Sequence, residues 1–294
     1  MSNLVNDLQG RIQGEVRFDQ MSRALYSTDA SIYQIEPIGV VIPKSADDIQ
    51  AVVELARAYK TPVLVRGGGT SLAGQSVGEA ILLDCSKHLN NILEVNVEER
   101  WARVQPGVVL DQLNQHLAPT GLWFAPDVAT SNRATIGGMM GNNSAGAHSI
   151  IYGKTIDHVI AQSVILSDGA RATFEPLNQA AFEAKLRGDG LEAHIYREVD
   201  RIVTANRDEI ERRYPKIMRR VGGYNLDAWA NSGDTRNMAR MAVGSEGTLV
   251  AVTEAKLNLV PRPTLNAVDV VHFDDIFSAL DSLVDILATA PASV

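Results

Sequence analysis

A single cysteine, Cys85, stands in a chain of 294 residues, and that scarcity removes whole classes of chemistry. No internal disulfide can form, no thiolate-ligated cluster can be built from this chain alone, and a reducing compartment fits such usage. Basic charge is also in short supply: 27 Lys and Arg face 35 Asp and Glu, a formal net charge of -8. No basic field gathers nucleic-acid phosphates or anionic lipid, so nucleic acid is not an expected partner. Uncharged apolar runs of membrane-spanning length are missing, and the opening "MSNLVNDLQGRIQGEVRFDQ" interrupts its apolar residues with Asn, Asp, Gln and Arg, unlike a signal peptide. The expected location is the cytoplasm, at most peripheral to the inner membrane. His88, His116, His194 and His272 lack neighbours at metal-ligand spacing, so no metal is expected.

What the chain does contain is a mixed α+β pattern. The apolar run Gly39 to Ile42 reads as a buried strand, and Ser45 with Asp48 three residues on predicts a helix start. Ile49, Val52, Val53 and Ala56 then fall on one helical face. With Pro62 to Val65 and Ile81 to Leu83 as further strands, residues 39–84 form a βαβ unit whose second strand leads into a glycine loop. Residues 92–97 and 101–105 read as a hairpin, 108–117 as a short helix, and 158–174 as two strands around a Ser-Asp-Gly turn. Thr248 to Val260 alternates like a half-buried strand, and Leu191 to Tyr214 has a helical pattern. At the end, 265–273 predicts a strand and 274–290 an amphipathic helix with Ile276, Leu280, Leu283, Val284 and Leu287 on its apolar face. One strand and one helix cannot bury each other well, so these residues read as the start of a second domain.

Three stretches carry the chemistry. In "VRGGGTSLAG", residues 65–74, bare backbone follows a strand, a geometry that lets N–H groups close around an anion. It matches neither familiar nucleotide loop. Leu72 stands where G-x-G-x-x-G needs its third glycine, and Gln75-Ser76 follows Gly69 to Gly74 where the Walker loop needs Lys before Ser or Thr. The second stretch, residues 125–153, holds five glycines with Asn132, Asn142, Asn143 and several hydroxyls. Its neutral hydrogen-bonding character suits a large planar ligand with polar edges. The third, "VGSEGTLVAVTEA" at 243–255, sets a glycine-flanked acid before a strand.

Together these stretches resemble the FAD-binding domain of the vanillyl-alcohol oxidase superfamily, also called the PCMH-type domain, over about residues 37–261. The resemblance implies a fold of two α/β subdomains with an N-terminal extension at 1–36, the FAD-binding domain at 37–262 and the beginning of a truncated cap domain at 263–294. It assigns the pyrophosphate to Arg66, Gly67, Gly68, Gly69, Thr70, Ser71, Gly74 and Gln75. Along the flavin and its ribityl chain it assigns Pro126, Asp127, Ser131, Ile136, Gly137, Gly138, Asn143, Ser144 and Gly146, and at the adenine and ribose end Glu246, Gly247 and Val252. Covalent flavinylation in some members uses a His in the glycine loop; Gly69-Thr70-Ser71 has none, which implies non-covalent FAD.

"RGGGTSLAGQ", "TSNRATIGGMMGNNSAG", "YGKTIDHV" and "VGGYNLD" look most similar to the D-2-hydroxyacid dehydrogenase branch, which acts on D-lactate, glycolate or D-2-hydroxyglutarate and includes fusions with an iron-sulfur half. That resemblance implies hydride transfer from the α-carbon of a small 2-hydroxy acid to FAD, with an unnamed electron acceptor and a missing cap or iron-sulfur segment as partner. No general base is identified. A UDP-N-acetylenolpyruvoylglucosamine reductase is the rival enzyme, disfavoured by the long "GNNSAGAHSIIYG" stretch, and a FAD-binding module without turnover of its own is the rival of another class. Among lone residues, His148 reads as a plain hydrogen-bonding side chain and His158 as structural. Tyr224 and Asn225 read as lining the substrate side, and Arg219 with Arg220 as a solvated basic pair.

Overall fold

The computed structural model describes residues 2–233 and 235–293. Four apolar residues in a strand can all be buried only where both sheet faces are covered. Gly39–Ile42 meets that condition as β2 of a sheet with β1 (Glu15–Arg17), β3 (Val63–Arg66) and β4 (Ile81–Asp84). Its order is β1–β2–β4–β3; β2, β4 and β3 run parallel, and β1 is antiparallel at one edge. The expected βαβ unit is present, with β4 inserted between its two strands. Helix Ala46–Ala58 starts where expected, the Ser45 hydroxyl accepting from the Asp48 N–H at 3.2 Å. Asp48 is itself buried and accepts from the backbone N–H groups of Gln13 and Lys44, each at 2.8 Å. The helix buries Ile49, Val52 and Ala56 in a core shared with Leu4 and Leu8 of helix Ser2–Arg11.

The second sheet is antiparallel throughout. Its strands are β5 (Ile92–Asn96), β6 (Trp101–Val104), β7 (Val159–Ile165), β8 (Arg171–Phe174) and β9 (Ala251–Asn258), in the order β5–β6–β9–β7–β8. β9 alternates buried and half-buried residues along its whole length, as its sequence pattern predicts. Against this sheet lie the helices Leu191–Ala205 and Arg207–Arg213, with Tyr196, Phe182 and Trp229 packed ring against ring. Ile165 of β7 and Ala251 of β9 join the core of the first sheet, so the two sheets share a wall.

The C-terminal segment departs from expectation. Residues 265–273 form no strand, because a strand needs a ladder partner and no free edge meets them among the described residues. The predicted helix is two short ones, Ile276–Asp281 and Leu283–Ala288, separated at Ser282. Ile276, Leu280, Val284 and Leu287 lie exposed. Among the described residues, no helix is long and apolar enough to cross a membrane.

Candidate cofactor site

The strand β3 ends at Arg66 and the chain enters the glycine loop. Within the described residues, none of the backbone N–H groups of Gly67 to Ser71 donates a hydrogen bond. Five unspent donors in one loop are rare in a folded chain unless a ligand or water meets them. The loop is fastened from behind by Arg66, whose guanidinium donates to the carbonyl oxygens of Thr28 at 2.8 Å and Ser76 at 3.0 Å. Burial pulls the Arg66 pKa down while Asp29 and Asp84 oppose that pull, leaving a positive charge beneath the amides. Gly69 holds φ at +65°, the left-handed region that glycine occupies without strain.

Two of the glycines are required by contact. A Cβ on Gly67 would lie 2.1 Å from the Thr135 hydroxyl oxygen, and one on Gly68 would lie 2.3 Å from the Arg133 carbonyl oxygen. The glycine loop therefore packs directly on the segment leading into helix Ile136–Asn142. The third stretch is stitched to the end of that helix: Gly244 N–H donates to the Met140 carbonyl at 2.8 Å and Glu246 N–H to the Gly141 carbonyl at 3.0 Å. Gln75 Nε2 closes the ring by donating to Glu246 Oε1 at 3.0 Å.

The three stretches enclose a cavity of about 370 Å³. Of the residues expected at a cofactor, Arg66, Gly67, Gly68, Gly69, Thr70, Ser71 and Gln75 line it, as do Gly137, Gly138, Ser144, Glu246, Gly247 and Val252. Gly74, Pro126, Asp127, Ser131, Ile136, Asn143 and Gly146 do not. Gly74 packs on the Tyr33 ring, Ile136 is wholly in the core, and Ser131 closes a turn with Val128. Asp127 is engaged by His148, accepting from its backbone N–H at 3.1 Å and pairing with its ring Nδ1, while Gly146 is packed against Asp127. From that stretch Val128 and Thr130 reach the cavity instead. Gly137 and Gly138 give room rather than donors, since their N–H groups are spent on the Pro106 carbonyl and the Thr135 hydroxyl.

Two further expectations, for Asn225 and Arg220, need correction. Asn225 is buried and structural: its Nδ2 donates to the Val243 carbonyl at 2.6 Å. Tyr224 is exposed, its hydroxyl 2.9 Å from that of Thr248. Arg220 is not solvated; it pairs with Asp227 at 2.6 Å beside the Tyr214 ring, and Arg219 donates to the Gly146 carbonyl. His158 is structural as expected, with Nε2 2.7 Å from the Tyr152 carbonyl oxygen. Further lining residues escaped the sequence reading, two of them on strands or strand ends away from the three stretches. Cys85 and Gln162 both line the cavity, and only strand registration could have placed them there.

A cradle of free amides over a half-buried cation, opening into a mostly neutral cavity between two sheets, defines a dinucleotide-cofactor site. Residues 37–175 match the family described as FAD binding domain. It is 40% identical over 285 residues to a D-2-hydroxyglutarate dehydrogenase of Pseudomonas putida, covering 96% of this chain and 28% of that protein. To the glycolate oxidase subunit GlcD of Bacillus subtilis it is 30% identical, covering 95% of this chain and 49% of that one. The chain thus spans between about a quarter and a half of these relatives. In fold it is similar to an alkyldihydroxyacetonephosphate synthase, with a TM-score of 0.68 at 19% identity, over 100% of this chain and 47% of the other. A carbohydrate oxidase from Microdochium nivale superposes with a TM-score of 0.59 at 16% identity, over 88% and 44%.

FAD fits what is present. The amides of Gly67 to Ser71 suit a pyrophosphate, and the positions where a Cβ would strike Thr135 or Arg133 are kept bare. Apolar Val65, Met140 and Val252 suit the ring systems.

Proposed function

We propose that the chain is the FAD-binding part of an enzyme that oxidises a small D-2-hydroxy acid to the 2-oxo acid, with FAD held non-covalently. The observation carrying this reading is the row of unspent amides from Gly67 to Ser71 above the Arg66 guanidinium, set in a chain 40% identical to a D-2-hydroxyglutarate dehydrogenase. Bound FAD supplies the hydride acceptor. The chain's own residues bind and orient it: loop amides hold the two phosphates, and Glu246, Gly247 and Val252 border the nucleoside end. Excluding water falls to the apolar wall of Val65, Met140 and Val252.

The substrate contacts and the group that takes the hydroxyl proton belong to residues outside this site, which agrees with the fraction of the relatives that the chain spans. The exposed apolar residues Ile276, Leu280 and Val284 support reading 263–294 as the edge of a cap. The test uses purified protein. Acid precipitation is expected to release all the flavin, identified chromatographically as FAD. Anaerobic mixing with D-2-hydroxyglutarate, D-lactate and glycolate, joined to the relatives' remaining length, is expected to bleach the flavin, with the L-enantiomers inert. Flavin that stays with the precipitate overturns the non-covalent assignment; bleaching by NADPH alone overturns the substrate class.

A further inference from the structure

Gln162 sits on β7 with 1% of its surface exposed and forms part of the cavity wall. Its Nε2 donates to the Ala239 carbonyl at 3.3 Å and lies 3.7 Å from Met140 Sδ. A carbonyl only accepts, so the amide is held in one orientation and Oε1 is left on the other side. That oxygen has no hydrogen-bond donor among the described residues. A buried acceptor without a donor is costly and uncommon, and one in the wall of a cofactor cavity calls for a donor on the ligand.

The surroundings restrict which donor. Met140, in contact with the amide, and Val252, on the neighbouring strand, make this wall apolar, suited to a flat ring carrying an N–H at its edge. Val252 registers with Val164, two residues from Gln162 and on the same face of β7. Val252 is the residue proposed above for the adenine end. We propose that Gln162 Oε1 accepts a hydrogen bond from the exocyclic amine of the FAD adenine, so that this side chain selects adenine over a 6-oxopurine. The inference rests on the FAD reading given under the proposed function.

The test is competition. FAD is bound to the full chain and displaced by ADP or by IDP, which differs in carrying a 6-oxo acceptor in place of the amine, with released flavin read by fluorescence. Wild-type protein is expected to bind ADP at least about ten-fold more tightly than IDP, because the 6-oxo group would face a bare carbonyl oxygen. Gln162→Met keeps length and apolar bulk and removes the acceptor; the ADP-to-IDP ratio is expected to fall to within about two-fold of unity. The Ala239 carbonyl keeps its bond from the Val243 N–H at 3.1 Å, so the change strands no other group. Gln162→Leu repeats the measurement should the methionine variant not fold. Equal ADP and IDP affinity in the wild type, or a preference that survives in the variants, overturns the assignment. Failure of wild-type protein to bind FAD at all would instead overturn the underlying cofactor reading.

Discussion

Replacing Gly68 by Ala adds one methyl group, and its position is known in advance. The new carbon would lie 2.3 Å from the Arg133 carbonyl oxygen, a backbone atom that cannot rotate away as a side chain could. Restoring van der Waals contact requires the loop to move by about 1 Å. A hydrogen bond lengthened that far leaves the useful range, and the bonds at stake are those from adjacent loop amides to a charged phosphate. Each is worth about 1.5–3 kcal/mol, so losing two costs about 3–6 kcal/mol. FAD affinity should then fall by about 10² to 10⁴-fold. Equilibrium titration by flavin fluorescence measures this directly. Far-ultraviolet circular dichroism should remain that of the wild type, since the loop belongs to no strand or helix. If Gly68→Ala binds FAD within about three-fold of wild type, the amides of this loop are not the phosphate cradle.

Three other outcomes are expected. Gly10, in helix Ser2–Arg11, has nothing within 4 Å of an added Cβ, so Gly10→Ala should stabilise the protein by about 0.5–1 kcal/mol in urea unfolding without altering FAD binding. The Cys85 thiol is fully buried and its pKa is pushed up to about 12 by burial, with Asp84 adding to the rise; iodoacetamide at pH 8 should label it only after unfolding, as mass spectrometry will show. The Lys87 ammonium, helped by Arg17 and His88, lowers the Glu15 pKa to about 2. A lowered carboxylate pKa contributes stability above the ordinary value near 4.5 that is lost as pH falls through 2, so the gap in urea midpoint between wild type and Glu15→Gln should be largest at neutral pH and vanish near pH 2.

The motifs and most of the fold were legible because their signals are local. Ser45 with Asp48, the four apolar residues at 39–42 and the alternation through 251–258 each contain within a few residues the reason for their structure. The glycine loop was legible for the same cause: bare backbone after a strand has few uses. What was hidden depends on registration between distant segments. Nothing near Gln162 in sequence says that β7 lies beside β9, or that the Ala239 carbonyl will fix its amide. Asp127 belongs to a motif, yet His148 engages it and keeps it out of the cavity. The strand expected at 265–273 failed for the opposite reason. Its local pattern is right, but a strand exists only where another offers it an edge.

The hydrogen bond from Gln75 to Glu246 joins residues 171 positions apart, and each belongs to a loop that lines the same cavity. Without ligand, this contact adds to the shared wall of Ile165 and Ala251 a tie between a loop leaving the first sheet and a loop entering the second. A dinucleotide lying between them would bond to both loops, and its binding energy would be available only while both sheets stayed folded. Melting should consequently change in kind as well as in midpoint. The apoprotein couples its sheets through that wall and this contact, and the FAD-loaded form should unfold as one unit, with calorimetric and van't Hoff enthalpies converging as the cofactor is added.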